Sequence, residues 1–258
     1  MYSVPKFILF GDSITQHAND QVGFAFAPAL QSRYARKLDV VTRGFSGYNT
    51  NHAAVVFPEV LRAEHANTGI IKLVLIFLGT NDAAFTFQGV PVEVYRANLL
   101  EMVRLALSYN IRVIVVGPTL HGRAEHHKAT ALQNSDPNFS DIVSTRKYAD
   151  AAALVAAEHR VPFIDLWTAF QRHGGWSTDE LLQGNVPVGD LLPDGVHFSP
   201  AAYNIFYDEM VATIGQNYPE LEPSAMPFYF PELDKMDFSN LEQSVLAYMG
   251  EHWDKQSE

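Results

Sequence analysis

The stretch Lys6-Phe7-Ile8-Leu9-Phe10-Gly11-Asp12-Ser13 decides the fold. Phe7 to Phe10 form a short apolar run without alternation, the pattern of a strand covered on both faces. Glycine, acid and hydroxyl then arrive together, where such a strand delivers the chain to the edge of a sheet. A serine placed there is exposed and held by backbone on both sides, which suits a nucleophile. The same kind of run recurs at Leu38–Thr42, Lys72–Leu78, Ile111–Gly117 and Pro162–Leu166. Helical stretches lie between the runs: Gly23–Arg36, His52–His65, Val92–Asn110 and the alanine-rich Ser144–His159. Pro58 should end or kink the second of these. Strand–helix alternation of this kind predicts one doubly wound parallel sheet. No internal repeat or linker divides the chain.

The bulk properties fit that reading. A chain of 258 residues is long enough to bury a substantial core without staples. Its formal net charge of −11, with no Lys/Arg cluster, argues against nucleic acid and anionic membranes as partners. The absence of cysteine excludes disulfides, thiolate catalysis and Cys-ligated zinc. Met1-Tyr2-Ser3-Val4-Pro5-Lys6 leads directly into the first strand without a signal-peptide pattern. No apolar run approaches the ~18–20 residues of a membrane helix. The expectation is an intracellular, cytoplasmic protein, in which the acceptor motif Asn138-Phe139-Ser140 is a chance match.

Two stretches read as long irregular loops, His121–Ser140 and Gly174–Pro193. After Pro219 the chain turns Pro-rich, with Pro223, Pro227 and Pro231, as an extended strap would. A helix is expected from about Asp237, with Ser239-Asn240-Leu241-Glu242 as its capping box. Leu241, Val245, Tyr248 and Met249 share one face of it. Residues 1–218 are thus read as the main domain, and 219–258 as a strap and helix packed on it. A homodimer contact through that helix is the alternative.

Ligands of open α/β sheets bind beyond the carboxyl ends of the strands. The segments there are Gly11-Asp12-Ser13, Arg43-Gly44-Phe45-Ser46-Gly47-Tyr48, Gly79-Thr80-Asn81-Asp82 and Gly117-Pro118-Thr119. Leu192-Pro193-Asp194-Gly195-Val196-His197-Phe198 precedes a further helix, for which Ser199 is a good N-cap and Pro200 a good first residue. These parts complement one another. The Ser13 hydroxyl needs an adjacent base, which His197 can supply. Asp194, three residues earlier, can hold the imidazole in the right tautomer. The Ser13 and Gly47 backbone N–H groups and the Asn81 side-chain amide can serve as an oxyanion hole. Each element alone is weak; the ordered set is the signal.

That ordered set resembles the SGNH, or GDSL-type, hydrolase family. Phe10-Gly11-Asp12-Ser13-Ile14-Thr15, Arg43–Tyr48, Gly79-Thr80-Asn81-Asp82 and Asp194-Gly195-Val196-His197 stand where the family has its four blocks. The isoleucine after Ser13 departs from the family's usual leucine. Ile76–Ala83, Asp194–Ser199 and the strap after Tyr218 are further similar to the branch of isoamyl acetate-hydrolysing esterases. The resemblance covers about residues 6–230. It implies a three-layer α/β/α sandwich with a flavodoxin-like five-stranded parallel sheet. It also implies a Ser13–His197–Asp194 triad that needs no metal or cofactor, and hydrolysis of short-chain, acetate-type esters of small alcohols through an acyl-enzyme. Acetylated sugars, lipids and thioesters are the alternative substrates. The loop Ala124–Asp141 carries least of the resemblance and is expected to border the substrate.

Other residues compete for a role. Gly44-Phe45-Ser46-Gly47-Tyr48 fails the Gly-x-Ser-x-Gly elbow at its fifth position, which leaves Ser46 a minor rival to Ser13. His121, His126 and His127 suggest a metal hydrolase, but no His-Glu-x-x-His spacing supports it. A binding module that has lost catalysis is disfavoured by the intact Ser, His and Asp. Asp12 and Asp82 are expected to bond loop N–H groups and fix their turns, with Arg43 pairing to one of them. Phe85 and Phe87, close after Asn81, are expected to line an apolar substrate pocket.

Overall fold

Strand β1 (Lys6–Gly11) alternates between two cores: Phe7 and Leu9 face one, Ile8 and Phe10 the other. This is why its sequence is apolar without alternation. The computed structural model describes residues 4–66, 70–133, 138–184 and 186–252. Around β1 lie β2 (Asp39–Gly44), β3 (Ile71–Phe77), β4 (Arg112–Val116) and the two-residue β5 (Phe163–Ile164). All pairings are parallel and the order is β2-β1-β3-β4-β5. Strand order therefore reverses between β1 and β3, which opens a crevice beyond their carboxyl ends.

Helices cover both faces, as expected of the three-layer sandwich. On one side α3 (Thr50–Ala66), α4 (Val92–Ser108) and α6 (Ile142–His159) bury Phe57, Leu61, Leu99, Val103 and Val155 against the sheet. On the other, α2 (Phe26–Arg33), α7 (Leu166–Gly174) and α9 (Pro200–Asn217) bury Leu30, Trp167, Phe170, Phe206 and Met210. Phe26 stacks on Phe206 with ring centroids 4.2 Å apart. Short helices complete the set: α1 (Ser13–Gln16), α5 (Arg123–Gln133), α8 (Thr178–Leu182) and the terminal α10 (Leu241–His252).

Several expectations are corrected. Helix α3 runs through Pro58 without ending. The buried Ala53, Phe57 and Leu61 pack on the sheet along its length and outweigh the roughly 3 kcal/mol that an interior proline costs. Residues His121–Ser140 are not an irregular loop, since α5 occupies Arg123–Gln133; Pro137 lies outside the described residues. Within Gly174–Pro193, α8 is capped by a box between Ser177 and Glu180. At the last helix no such box forms at Ser239, whose N–H and hydroxyl both donate to the Asp237 carboxylate. Helix α10 accordingly begins later, at Leu241.

The Pro-rich strap is tied to the body by charged and aromatic groups. Arg33 pairs with Glu222 at 2.6 Å, and the Tyr34 hydroxyl donates to the Leu221 carbonyl. Arg36 donates to the carbonyls of Phe230 and Pro231. Leu221, Met226 and Tyr229 enter the same core as α2 and α9. Helix α10 touches the strap through the Tyr248 hydroxyl, which donates to the Phe228 carbonyl, and Met249 packs against that core. Among the described residues no helix is long and apolar enough to cross a membrane.

Candidate active site

Strand β1 ends at Gly11 and the chain turns at once into α1, with Asp12 as N-cap and Ser13 as first residue. One Asp12 carboxylate oxygen accepts from the Ile14 N–H at 3.0 Å, while the other is buried without a partner. Burial pushes the Asp12 carboxyl up to about 7, against the lowering effects of that hydrogen bond and of His197 nearby. Asp82, after β3, behaves alike. One oxygen accepts from the Thr50 N–H at 2.9 Å and from the Thr50 hydroxyl, and burial pushes the group up to about 6. Both acids thus fix turns, as expected. Arg43 pairs with neither; it bonds Glu64 and the Thr42 carbonyl instead.

The turn before α9 brings its imidazole to Ser13 across 184 positions of chain. The His197 Nε2 lies 2.9 Å from the Ser13 Oγ, and the Nδ1 lies 2.7 Å from an Asp194 oxygen. The other Asp194 oxygen accepts from the N–H groups of Val196 and His197 at 2.9 and 2.7 Å. Burial opposes the charge of Asp194. The bonds from His197 and from the backbone outweigh it and hold the carboxyl well below the usual carboxylate range. The bond to Asp194 raises the His197 imidazole above its ordinary value, against its own burial. With Nδ1–H donating to an ionised Asp194, Nε2 is left to accept from the Ser13 hydroxyl. That arrangement can deprotonate a serine.

The turn is held from both ends. Ser199 caps α9 and donates its hydroxyl to the Asp190 carbonyl at 2.6 Å. Tyr203 of α9 donates to the Ile14 carbonyl at 2.6 Å, which ties this helix to the one bearing Ser13. The Gly122 N–H, after β4, donates to the Gly195 carbonyl at 2.8 Å.

The expected oxyanion donors gather beside Ser13. Gly47 has φ +79°, a conformation glycine adopts without strain. The Asn81 amide donates one N–H to the Tyr48 carbonyl at 2.8 Å. Gln88 clamps the pair, donating to the Gly47 carbonyl at 3.0 Å and to the Asn81 side-chain oxygen at 3.2 Å. The bond to its oxygen and the bond from its nitrogen define which way the Asn81 amide faces. Ser13, Ser46, Gly47, Asn81 and His197 all line one cavity of about 260 Å³. Ser46 is its exposed rim, and its N–H is bound by the Gln16 side chain.

The walls of that cavity differ from expectation. Phe85 and Phe87 are 61% and 96% exposed and do not line it. The aromatic wall is Phe139, joined by His126, Ala129 and Thr130 of α5 and by Val196. Phe85 contributes backbone, its N–H donating to the Phe139 carbonyl at 2.7 Å. The Ser140 hydroxyl, buried, donates to the Ala83 carbonyl and anchors the same segment. So the span Ala124–Asp141 does border the cavity, through α5 and Phe139. His121 is buried against His126 and Phe139, and burial pushes its imidazole down to about 4. Among the described residues no group of three or more His, Cys, Asp or Glu side chains is arranged to hold a metal ion. Sequence reasoning missed Gln88, and it did not single out Phe139 within the span Ala124–Asp141 or its chance glycosylation motif.

Known proteins resemble this chain in sequence and in fold. The model of the GDSL-like lipase/acylhydrolase family matches residues 9–205. An isoamyl acetate-hydrolyzing esterase of Saccharomyces cerevisiae is 37% identical over 86% of this chain and 91% of its own. A human isoamyl acetate-hydrolyzing esterase 1 homolog is 33% identical over 88% of this chain and 86% of its own. Among solved structures, the acetyl xylan esterase AlAXEase superimposes with a TM-score of 0.63 at 18% identity, covering 81% of this chain and 99% of that one. That likeness speaks for the fold.

Proposed function

The chain belongs to the GDSL-like lipase/acylhydrolase family and is a carboxylic ester hydrolase. On that premise we propose that it cleaves short-chain, acetate-type esters of small alcohols through a Ser13–His197–Asp194 triad and an acyl-enzyme. One observation carries the reading: an unbroken relay from the Ser13 Oγ through both His197 nitrogens to an ionised Asp194, at 2.9 and 2.7 Å. Ser13, deprotonated by His197, attacks the ester carbonyl. The Ser13 and Gly47 N–H groups and the Asn81 amide receive the oxyanion. The carbon–oxygen bond to the alcohol breaks, and the departing oxygen takes the proton from Nε2. Water, activated by the same imidazole, then frees the acid and restores Ser13.

The acetate preference rests on what the yeast relative is named for, and the small cavity beside Ser13 supports it. A chromogenic acetate ester tests the chemistry. The chain should turn it over and be blocked by a serine-directed phosphonate. Ser13→Ala should fold normally and lose about 10⁴-fold or more in kcat. A variant that keeps the parent rate would end the assignment.

A further inference from the structure

The imidazole of His197 and the carboxylate of Asp194 form a wall between two cavities. One holds Ser13, Gly47 and Asn81. The second, of about 390 Å³, lies on the other side of the wall, among His17, Val22, Phe24, Pro193, Phe198 and Pro200. We propose that this second cavity receives the alcohol part of the ester and is shaped for a short apolar alcohol. The proposal rests on the hydrolase reading above.

The chemistry of the leaving group carries it. The bond that breaks joins the carbonyl carbon to the alcohol oxygen, and that oxygen must sit beside His197 Nε2 to take its proton. The oxyanion is drawn to the donors at Gly47 and Asn81, and the acyl chain stays with it in the Ser13 cavity. Because His197 and Asp194 line both cavities, the second cavity is the further space that adjoins the imidazole, and the alcohol chain is assigned to it.

That space has an apolar wall. Phe24 meets Tyr207 edge to face at 5.5 Å, and Phe198 meets Tyr203 at 5.2 Å. Gly23 has φ +83°, and a Cβ there would lie 2.9 Å from Pro200. Glycine therefore lets the loop carrying Val22 and Phe24 lie directly on the start of α9. Val22 is 79% exposed at the rim, an apolar side chain left uncovered by the fold itself. Its polar lining is His17, Asp20, Asp194, His197, Ser199 and Tyr203, and His17 stands edge-on to His197 at 5.6 Å with its Nδ1 bonded to Asp20 at 2.8 Å. A sugar would bring several hydroxyls against Val22, Phe24 and Pro193, where they lose water without gaining partners. A branched or straight alkyl alcohol loses nothing there.

The test is a panel of esters varied in one half at a time, with three variants. Acetates of alcohols from one to five carbons probe the alcohol side, and methyl esters of acetate to hexanoate probe the acyl side. Each methylene kept off apolar surface costs roughly a factor of four in kcat/KM. Val22→Trp, which fills the second cavity from an exposed position, should lower the five-carbon to one-carbon alcohol ratio by about tenfold or more. Its acyl-length ratio should match the parent. Phe24→Ala, which removes part of the apolar wall, should lower the same alcohol ratio by about fourfold or more and leave the acyl-length ratio at the parent value. Ala129→Phe, in the Ser13 cavity, should narrow the acyl range and leave the alcohol ratio at the parent value. If both loop variants leave the alcohol ratio unmoved, or move the acyl ratio equally, the assignment of this cavity is overturned. Failure of the parent chain to turn over any ester would instead overturn the hydrolase reading, and this inference with it.

Discussion

Two turns meet at the Ser13 hydroxyl, and each carries an aspartate, yet the two acids are driven in opposite directions. Asp194 spends both oxygens on donors, the His197 ring on one and two backbone N–H groups on the other. Its charged form is held far below the usual range. Asp12 spends one oxygen on a single N–H and buries the other without a partner. Burial then dominates and pushes it up to about 7. Two carboxyls near one imidazole are thus shifted in opposite directions. The difference comes from how deeply each acid is buried and how many donors its turn supplies, not from residue type. An ionised Asp194 can stabilise an imidazolium, while Asp12 serves the turn that presents Ser13.

Exchanging the acids for amides breaks the comparison from each side. Asp194→Asn should lower kcat on a chromogenic acetate by about 10³–10⁴-fold, since the imidazole loses its orienting acceptor. A loss under about tenfold would mean the relay is not used. Asn81→Ala, which removes a donor beside Ser13, should cost about 10²–10³ in kcat with a smaller change in KM. A raised KM with kcat unchanged would point to simple binding. The pH profile sharpens the contrast. His197 must be neutral to act as base, and its pKa is raised by Asp194. The acid limb of kcat/KM should therefore fall above pH ~6.5, the ordinary imidazole value. In Asp194→Asn that limb should move to lower pH, and an unmoved limb would assign it to another group.

The smallest effect is on stability. The folded pKa of Asp12 exceeds its unfolded value, so the unfolded chain sheds this proton first. Stability should then fall as pH rises from about 4 to about 7. Asp12→Asn keeps the cap on the Ile14 N–H and removes the titration. Measured by urea unfolding, its stability relative to the parent should grow by about 1–3 kcal/mol between pH 4 and pH 8. A constant difference across that range would show Asp12 ionised throughout in the folded state.

The parts of the site legible in the sequence are those a strand end dictates. Ser13, Gly47, Asn81 and the Asp194–His197 turn each follow a recognisable local element, and residue type there announces function. Phe85 and Phe87 misled because nearness to Asn81 in the chain says nothing about which way a loop faces. The ring that lines the cavity belongs to Phe139, held by the Phe85 N–H on its carbonyl and by the neighbouring Ser140 hydroxyl on the Ala83 carbonyl. Helix α5 was hidden by its polar sequence, Arg123-Ala124-Glu125-His126-His127-Lys128, which lacks a strong apolar stripe. Gln88 had no local signal at all; its worth lies in two partners that only the fold brings within reach.

From its order of residues alone, this chain determined a parallel sheet, the strand that leads to Ser13 and the polar groups in the turns beyond it. Those follow from periodicity and from turns, which are short-range physics. Tertiary structure alone decided the protonation of Asp12 against Asp194, the walls of the two cavities and the division between them at His197. Each of these depends on how much water and how many donors distant segments leave around a side chain, and no window of neighbouring residues contains that sum.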